Sequence, residues 1–522
     1  MTVVVTEWRA AEAVMLQQAL RMTNEAFAEK LGAATRTVAK WRSQRQMRLT
    51  LEMQEALDTL LVTAADQVAQ RFDALWRQAY GDPDQGLERW RERLAEATHL
   101  HRTIGWLDQQ RANLDGQNTY SQVVNSAAAR AASPLHGTVW ASTLPARARL
   151  ADVVRDYYRD GFDVCGPVTL TTPGAEPITT TMLAAPEWLT LDDELLPDRG
   201  HFAYEDTDKP ISLRPPSAGL LAAATNRLTT ILVTGTRFVD ETLYRLTDYR
   251  LAGDGLHATF ALGSFGQYAL TGDLLESEAA AAAETGSAAG MSLRDELLPT
   301  VESVLTPQGR LCVGGTLALA AFARPALGAR PADFLLLLQE RGEQVLNAGH
   351  RLAVIPKCFH QPMVDLVEDA HIGATLVREL EEELFGREEV DNSLPHPAFV
   401  EPMHRTRLSR PLRWLWAHPA AWVMEGTGFA FNLLSGNFEV PALIAVRDEK
   451  FWQRHGGAVQ ANWESTRLIR MSSMNADGLA KLLADPAWSD EGLMAFVLGL
   501  KRLARLDPAR VKLPPFQTGV LR

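Results

Sequence analysis

Three glutamates in the C-terminal half of the chain have the residue type and spacing of a divalent-metal site. Glu379, Glu382 and Glu383 lie at positions i, i+3 and i+4 of the stretch DAHIGATLVRELEEELFG, residues 369–386. On an α-helix this spacing brings the three side chains to one side. Converging carboxylates repel one another unless a cation lies between them, and Mg²⁺ prefers such oxygen ligands. The pattern therefore predicts either a magnesium site or a solvated acidic helix face.

The helix that would carry these glutamates is predicted to start near Gly373 and to end near Phe385. Its apolar residues fall on one stripe at helical spacing, namely Leu376, Val377, Leu380 and Leu384. On the same helix Glu381 is expected to point away from the other glutamates. A strand over 351–355 is predicted to precede this helix.

Residues 378–383, RELEEE, resemble the REUxEE core of the Nudix box, the Mg²⁺-binding helix of hydrolases that act on nucleoside-diphosphate-linked substrates. The resemblance implies a Nudix-like α/β/α sandwich for the C-terminal region. It also implies that Glu379, Glu382 and Glu383 hold Mg²⁺, which in a hydrolase would polarise a pyrophosphate and activate water.

Other positions of the box differ from the pattern. Val364 stands where the box opens with glycine, and Ala370 stands where a glutamate precedes the arginine. The closing glycine comes one residue late, as Gly386, because Phe385 occupies its position. These departures favour a domain that binds a ligand without turning it over, so no catalytic residue is assigned.

Several polar residues near the acidic stretch are candidates for ligand binding. Four histidines surround it without HxH or HExxH spacing: His350, His360, His371 and His404. Of these, His360 is the best candidate for a ligand-binding or acid–base group. Lys357 is placed to meet a phosphate, and Arg378 completes the ligand-binding set. By positional analogy with Nudix proteins alone, Trp463 and Glu464 lie where such proteins often place an additional carboxylate, which binds metal or acts as a general base.

A second pattern, near the N-terminus, is basic. The ionisable residues between Lys30 and Glu52 are all cationic: Arg36, Lys40, Arg42, Arg45 and Arg48. Thr23 is a suitable N-cap for a helix over 24–31, and Gly32 ends that helix before a second one over 35–42. Residues 22–41, MTNEAFAEKLGAATRTVAKW, closely resemble the helix-turn-helix of Cro/repressor-type bacterial regulators.

In that motif the second helix enters the major groove of DNA by its N-terminus. The resemblance therefore assigns DNA binding to Thr35, Arg36, Thr37, Lys40, Arg42, Arg45 and Arg48. Arg36 is the natural partner for guanine O6 and N7, whereas the last three arginines are expected to contact phosphates. The alternative is an ordinary three-helix domain with a solvated basic edge.

Composition limits the class of protein. The net charge of −12 argues against a generally basic nucleic-acid coat, so any DNA contact must come from a local patch. Cys165, Cys312 and Cys358 are too few and too scattered for a disulfide framework or a CxxC metal site. The longest apolar run, 311–323, is too short to span a bilayer, and no signal pattern begins the chain. We therefore expect a soluble cytoplasmic protein that does not bind membranes.

The order of elements predicts a multidomain α+β protein. The predicted segments are a helix-turn-helix domain (1–61), a helical linker or dimerisation scaffold (62–160), a β-rich domain (161–275), a flexible linker (276–292) and a Nudix-like domain (293–522). Strands are predicted at 168–172, 178–183, 229–234, 267–270, 333–338 and 351–355, and hairpins at 243–262 and 428–446. Helices are predicted at 293–305, 475–483 and 490–503, with Asp490 as the N-cap of the last.

These patterns predict a homodimeric, DNA-binding transcriptional regulator. Its C-terminal region would sense a nucleotide or a phosphorylated metabolite, with Mg²⁺ as the candidate cofactor. Two alternatives use the same residues. The first is a Mg²⁺-dependent Nudix hydrolase, and the second is a non-catalytic assembly protein that uses the Nudix-like fold for dimerisation.

Overall fold

The structure is a computed structural model, and it divides the chain into two compact units. It describes residues 8–42, 47, 49–80, 83–112, 118–132, 147–196, 200–206, 216–236, 238–341, 351–386, 403–404, 406–459 and 465–521. The N-terminal unit comprises Met1–Ser142 and Thr225–Gly235, and the C-terminal unit comprises Thr143–Ala224 and Thr236–Arg522.

The described helices, in chain order, are α1 (Ala10–Leu20), α2 (Asn24–Leu31), α3 (Thr35–Trp41), α4 (Leu51–Val62), α5 (Asp66–Tyr80), α6 (Pro83–Glu96), α7 (Thr98–Arg111), α8 (Thr119–Ala132), α9 (Arg147–Tyr158), α10 (Ala218–Thr234), α11 (Phe265–Ala269), α12 (Gly272–Thr285), α13 (Ser292–Leu297), α14 (Val301–Leu305), α15 (Ile372–Glu379), α16 (Arg410–Ala417), α17 (Glu449–His455), α18 (Ala476–Leu483) and α19 (Asp490–Leu506).

The described strands are β1 (Gly166–Thr171), β2 (Ile178–Ala184), β3 (Asp193–Glu194), β4 (His201–Tyr204), β5 (Thr242–Ala252), β6 (Gly255–Ser264), β7 (Gly314–Arg324), β8 (Asp333–Arg341), β9 (Leu352–Val354), β10 (Lys357–Phe359), β11 (Trp422–Gly426), β12 (Ala430–Asn432), β13 (Phe438–Val446), β14 (Ser465–Ser472) and β15 (Gln517–Val520).

The N-terminal unit is helical and has its own apolar core. Trp8 packs against Phe72 of α5 with ring centroids 5.9 Å apart, and its indole N–H donates to Asp58 Oδ1 at 2.7 Å. Phe27 and Trp41 meet edge to face across α2 and α3, with centroids 6.4 Å apart. Aromatic pairs of this kind stabilise beyond the area they bury. The helices at the predicted DNA-binding end are therefore held by a packed core.

The C-terminal unit is built on a 12-stranded mixed sheet. Its main path runs β14-β8-β7-β13-β12-β2-β1-β15, and β3, β9, β10 and β11 pair with strands of that path or with one another. The pair β7–β13 is parallel, with Gly315 opposite Glu439, and the other strand pairs of this sheet are antiparallel. A smaller sheet has the order β4-β6-β5, in which β4 runs parallel to β6.

Helices pack against both faces of the large sheet, as alternation of side chains along its central strands requires. Ala318, Ala320 and Phe322 of β7 share a buried cluster with Leu376 of α15. Leu317, Leu319 and Ala321, the intervening residues, share a second cluster with Phe496 and Leu500 of α19. Strand β7 is therefore buried on both sides, and α15 and α19 lie on opposite faces of the sheet.

The structure corrects several sequence-based expectations. The strands of the predicted β-rich domain, 161–275, are divided between two sheets: β1, β2 and β3 belong to the large sheet with β7 and β13, whereas β4, β5 and β6 form the small sheet. The predicted linker at 276–292 instead lies largely in α12, whose Leu275, Ala279 and Ala283 are buried. Alanine is the best helix former, and here it is also small enough to pack.

Other element predictions had mixed outcomes. The predicted strands at 229–234 and 267–270 are parts of helices α10 and α11. The helix predicted over 293–305 is two short helices, α13 and α14. Both predicted hairpins are confirmed, as β5–β6 and β12–β13. No helix in the described part of the chain is both long and apolar enough to cross a membrane.

Candidate functional site

The turn between α2 and α3 is shaped by residues with clear local roles. The Thr23 hydroxyl accepts a hydrogen bond from the Ala26 N–H at 3.2 Å and caps α2. Gly32 ends α2 with φ of 65°, a left-handed conformation that favours glycine. Helix α3 then begins at Thr35, and its N-cap Ala34 offers no side-chain hydrogen bond. The turn thus fixes where α3 starts.

Helix α3 has a buried side and an exposed side. Val38 and Trp41 are buried in the core of the N-terminal unit. Thr35, Arg36 and Lys40 are exposed, and Thr37 is half-buried. This short helix therefore presents its polar groups to solvent, while its apolar groups hold it in place.

The structure locates most of the predicted DNA-binding residues on this exposed side. Arg42, directly after α3, is exposed as well. Arg45 and Arg48 lie outside the described residues. The geometry of the described residues is that of a cationic helix surface, and cationic helix surfaces suit the phosphate-lined grooves of DNA.

Helix α15 lies at the predicted position and continues as a π-helical turn, Leu380–Leu384. The predicted apolar stripe is buried, with Leu376, Leu380 and Leu384 at 0% exposure. Glycine is needed at position 373 because the helix passes close to the backbone of Leu195, and a Cβ at Gly373 would lie 1.5 Å from the carbonyl oxygen of that residue. The helix therefore packs tightly into the C-terminal unit.

Arg378 and Glu379, at the end of α15, form an ion pair inside the protein. Arg378 is 1% exposed, and its Nη2 lies 2.6 Å from Glu379 Oε1. Burial lowers the pKa of Arg378, but the negative charges of Glu379 and Glu382 outweigh burial and raise that pKa above its ordinary value. The guanidinium is therefore charged and already engaged by the protein, which does not favour its predicted ligand-binding role.

Glu381 is a buried residue that joins the π-helical turn to the next helix. Its side chain is fully buried, and its two oxygens accept hydrogen bonds from the N–H and the hydroxyl of Ser409, at 2.5 and 2.6 Å. Ser409 is the N-cap of α16, and Glu381 therefore helps to anchor that helix.

Glu383 joins the end of the π-helical turn to two strands. Its Oε1 accepts the backbone N–H of Lys357 at 3.0 Å, and its Oε2 accepts from Gln339 Nε2 at 3.3 Å. Glu379, Glu382 and Glu383 do not form a cluster of mutually close ligand atoms in the described part of the chain. Their arrangement does not fit one Mg²⁺ ion shared by all three, and magnesium binding stays a prediction.

Lys357 lies in a buried charged cluster on the α19 side of the sheet, and its ammonium group is not free to meet a phosphate. Its side chain shares that face with Glu439, because Lys357 pairs with Leu317 and Glu439 pairs with Gly315 two residues away. Lys357 Nζ lies 2.5 Å from Glu491 Oε1 in the first turn of α19. This partner comes from a part of the chain 134 residues away.

The two carboxyl groups of this cluster differ in protonation. Burial raises the pKa of Glu439 to about 8, and the nearby charge of Glu491 adds to that effect. Burial also opposes ionisation of Glu491, but the ammonium of Lys357 outweighs burial and lowers the pKa of Glu491. The cluster therefore holds one proton-bearing carboxyl group beside one ion pair.

His360 is a core residue with both ring nitrogens in use. Its Nδ1 lies 2.8 Å from the Thr375 hydroxyl, and its Nε2 lies 3.1 Å from the Ala370 carbonyl oxygen. Only a ring protonated at Nε2 satisfies that carbonyl, so Nδ1 accepts from the threonine. Burial lowers the pKa of His360 to about 3. The ring is therefore neutral at pH 7 and has no nitrogen available for a ligand.

The remaining candidates near the acidic helix are scattered. The ring of His371 meets Phe202 edge to face at 6.0 Å, and the exposed His404 contacts Thr406 through Nδ1. His350, Trp463 and Glu464 lie outside the described residues. His371 is the N-cap residue of α15, but its side chain makes no capping hydrogen bond.

Polar atoms without hydrogen-bond partners among the described residues lie at the start of α19. Asp490 is 6% exposed, and its Oδ2 accepts the Thr181 N–H at 2.8 Å. Its Oδ1 lies 3.5 Å from Arg147 Nε, and neither Asp490 Oδ1 nor Arg147 Nη1 has a hydrogen-bond partner in the described part of the chain. Burial raises the pKa of Asp490 to about 6, although Arg147 opposes the shift. Buried polar atoms without partners are uncommon, which makes this position a candidate for an ordered water or a ligand.

Little in the sequence indicates the charged cluster of Lys357, Glu439 and Glu491 or the polar group around Asp490. The N-cap role predicted for Asp490 belongs to Ser489, whose hydroxyl accepts the Gly492 N–H. Glu439 lies inside the otherwise apolar strand β13. A single acidic residue within an apolar strand is the one sequence feature that could have indicated a buried carboxyl group there.

The chain matches no protein-family model, and a search among curated proteins found no match.

Proposed function

We propose that the protein is a DNA-binding transcriptional regulator that contacts duplex DNA through the exposed side of α3. The observation that carries this proposal is the division of α3 into two sides. Val38 and Trp41 anchor the helix in the core, while Arg36 and Lys40 face solvent in a segment without acidic residues.

The chemistry of the exposed residues suits the major groove. Arginine can donate two hydrogen bonds to guanine O6 and N7, and each good bidentate pair discriminates against wrong bases by about 1–3 kcal/mol. We assign this role to Arg36, in the first turn of α3. Arg42, at the other end of the helix, is suited to a phosphate. A single helix of this kind binds weakly, so the proposal includes a homodimer that places two copies on paired half-sites.

Selection of the full-length protein against a library of random-sequence DNA duplexes tests this function. We expect one family of related DNA sequences to be enriched. The protein should bind these duplexes at least about a thousandfold more tightly than random duplex at physiological salt. Failure to enrich any sequence, under conditions in which a known repressor enriches its own operator, would contradict the proposal.

We further propose that the C-terminal unit binds a phosphorylated small molecule and is the sensor of the regulator. The support is the region at the start of α19, where Arg147 and Arg351 both interact with buried Asp490. Arginine donors match phosphate oxygens in geometry and charge. A ligand regulates DNA binding only through different affinities for two states of the protein.

Thermal unfolding of the full-length protein with added nucleoside diphosphates, and with inorganic phosphate as a second probe, tests the sensor. We expect one of these probes to raise the unfolding temperature of the wild type and to have less effect on Arg147→Gln. Equal shifts in both proteins would place the binding elsewhere, and no shift with any of these probes would contradict the proposed ligand class.

The two alternative functions have less support. A Mg²⁺-dependent hydrolase needs carboxylate oxygens that converge on a metal, whereas Glu379 and Glu383 are engaged by Arg378, Gln339 and a backbone N–H. An assembly protein that dimerises through the C-terminal unit, and a cytoplasmic location, remain predictions.

A further inference from the structure

Two histidines lie side by side in the small sheet of the C-terminal unit. His201 of β4 pairs with His257 of β6 in parallel register. Their rings are stacked with centroids 3.9 Å apart and an interplanar angle of 5°. Because paired residues on adjacent strands point to the same face, both imidazoles project from one side of the sheet.

A carboxylate completes this group from the turn of the β5–β6 hairpin. Asp254 Oδ1 lies 2.9 Å from His257 Nε2, and Asp254 Oδ2 lies 3.6 Å from His201 Nε2. The ligand atoms of the three residues all lie within 4.8 Å of one another. Among the described residues, this is the one set of histidine, cysteine and acidic side chains that meets that condition.

The backbone holds this turn in place. Gly255 follows Asp254 with φ of 115°, where a side chain would be strained and its Cβ would lie 2.5 Å from Asp193 Oδ1. Asp193 Oδ2 accepts the Leu256 N–H at 2.7 Å. The position of Asp254 relative to the two histidines is therefore set by the hairpin and not only by exposed side chains.

We propose that His201, Asp254 and His257 form a binding site for a divalent transition metal, with Zn²⁺ as the ion to test. Two imidazole nitrogens and one carboxylate oxygen are a ligand set that zinc accepts, whereas Mg²⁺ and Ca²⁺ prefer oxygen alone. Metal–ligand distances of about 2.0–2.2 Å require the ligand atoms to approach to roughly 3.3 Å. The side chains of His201 and Asp254 are 47% and 59% exposed, so rotation can bring them to that distance.

Stacked rings cannot both point their nitrogen lone pairs at one ion, so metal binding also requires one ring to tilt. His201 is the more exposed of the two histidines and is the ring expected to move. Three protein ligands leave a coordination position for water, as in sites that are not purely structural.

Arg250 is expected to oppose metal binding. Its Nη2 lies 3.1 Å from His257 Nδ1, so in the metal-free protein Nδ1 accepts and Nε2 carries the proton that faces Asp254. A metal on Nε2 displaces that proton and requires one on Nδ1, so the guanidinium must move away. Arg250 is exposed and can do so at the cost of this one contact.

This site goes beyond the proposed DNA-binding function, because none of its residues belongs to α3 or to the start of α19. Its test is independent of any DNA or phosphorylated ligand.

The test is calorimetric titration of the metal-free, full-length protein with Zn²⁺. We expect one ion per chain in the wild type, affinity reduced by more than about a hundredfold in His257→Ala, and an unchanged value in His404→Ala as the matched control. Arg250→Ala should bind about tenfold more tightly, since it removes one positive charge roughly 6 Å from a doubly charged ion in water.

Thermal unfolding without metal establishes that each variant is folded. If His257→Ala does not fold, Asp254→Asn takes its place in the comparison. The proposal is overturned if the wild type binds no Zn²⁺, or if the folded variant binds it as tightly as the wild type.

Discussion

Two arginines on short helices show how differently the two units use their charged residues. Arg36 of α3 is exposed to solvent. Arg378 of α15 is 1% exposed, and its guanidinium donates to Glu379 inside the protein. The first arginine is available to a partner, whereas the second is engaged within the fold. A charged residue in a suggestive motif is therefore a candidate site only when the fold leaves its polar groups accessible.

The same contrast extends to the residues around each arginine. Lys40 and Arg42 accompany Arg36 on the exposed side of the N-terminal unit. Around Arg378, by contrast, Glu381 anchors α16 through Ser409 and other carboxylates meet backbone or side-chain donors. The charged groups of the acidic helix are therefore engaged within the fold, whereas those of α3 reach solvent.

The largest expected effect is on folding, in the variant Arg378→Ala. This change leaves Glu379 buried without its cation, which typically costs about 3–5 kcal/mol of unfolding free energy. Urea unfolding of the full-length protein, followed by tryptophan fluorescence, measures the change.

The matched control for this prediction is Arg505→Ala, an exposed position near the end of α19, where the unfolding free energy should change by less than about 0.5 kcal/mol. If Arg378→Ala were as stable as this control, Arg378 would have to be accessible and its pairing unimportant, and the contrast between the units would fail.

A smaller effect is expected from Glu439, through pH. Its folded-state pKa of about 8 lies above the ordinary value of 4.5, so the folded protein binds the proton more tightly than the unfolded chain. The stability from this group is complete below about pH 4.5 and is lost as the pH rises towards about 8. Lys357 and Glu491 face the same group and set the size of the effect.

The variant Glu439→Gln removes this titration while keeping a similar shape. Between about pH 5.5 and about pH 8.5 the wild type should lose at least about 1.4 kcal/mol more stability than the variant, the equivalent of one pKa unit. Urea unfolding at the two pH values checks the difference. Parallel pH profiles for the two proteins would show that the carboxyl group of Glu439 ionises as it does in water.

Local structure is predictable from the sequence where turn residues and periodicity act over short distances. Gly32 correctly marks the end of α2, and the Asp254-Gly255 turn correctly marks the β5–β6 hairpin. Local preference is misleading where tertiary packing decides the outcome. The β-branched residues at 229–234 end a long helix, and the alanine-rich residues after 276 are packed against the core.

The contacts of individual side chains are harder to predict, because their partners are distant in sequence. Lys357 is paired with Glu491, and Asp490 accepts a hydrogen bond from Thr181, which is 309 residues away. His201 and His257 meet only because β4 aligns with β6. No spacing rule along the chain indicates such pairs, whereas the exposed side of α3 follows from helical periodicity alone.

DNA recognition by α3 is tested by the affinity of the full-length protein for its selected duplex, measured by fluorescence anisotropy with Arg36→Ala beside the wild type. We predict that Arg36→Ala weakens binding by about 5- to 150-fold, from a loss of about 1–3 kcal/mol, with its urea unfolding unchanged. Arg505→Ala should bind as the wild type does. Binding by a folded Arg36→Ala protein with wild-type affinity would contradict the assignment of α3 as the DNA-contacting helix.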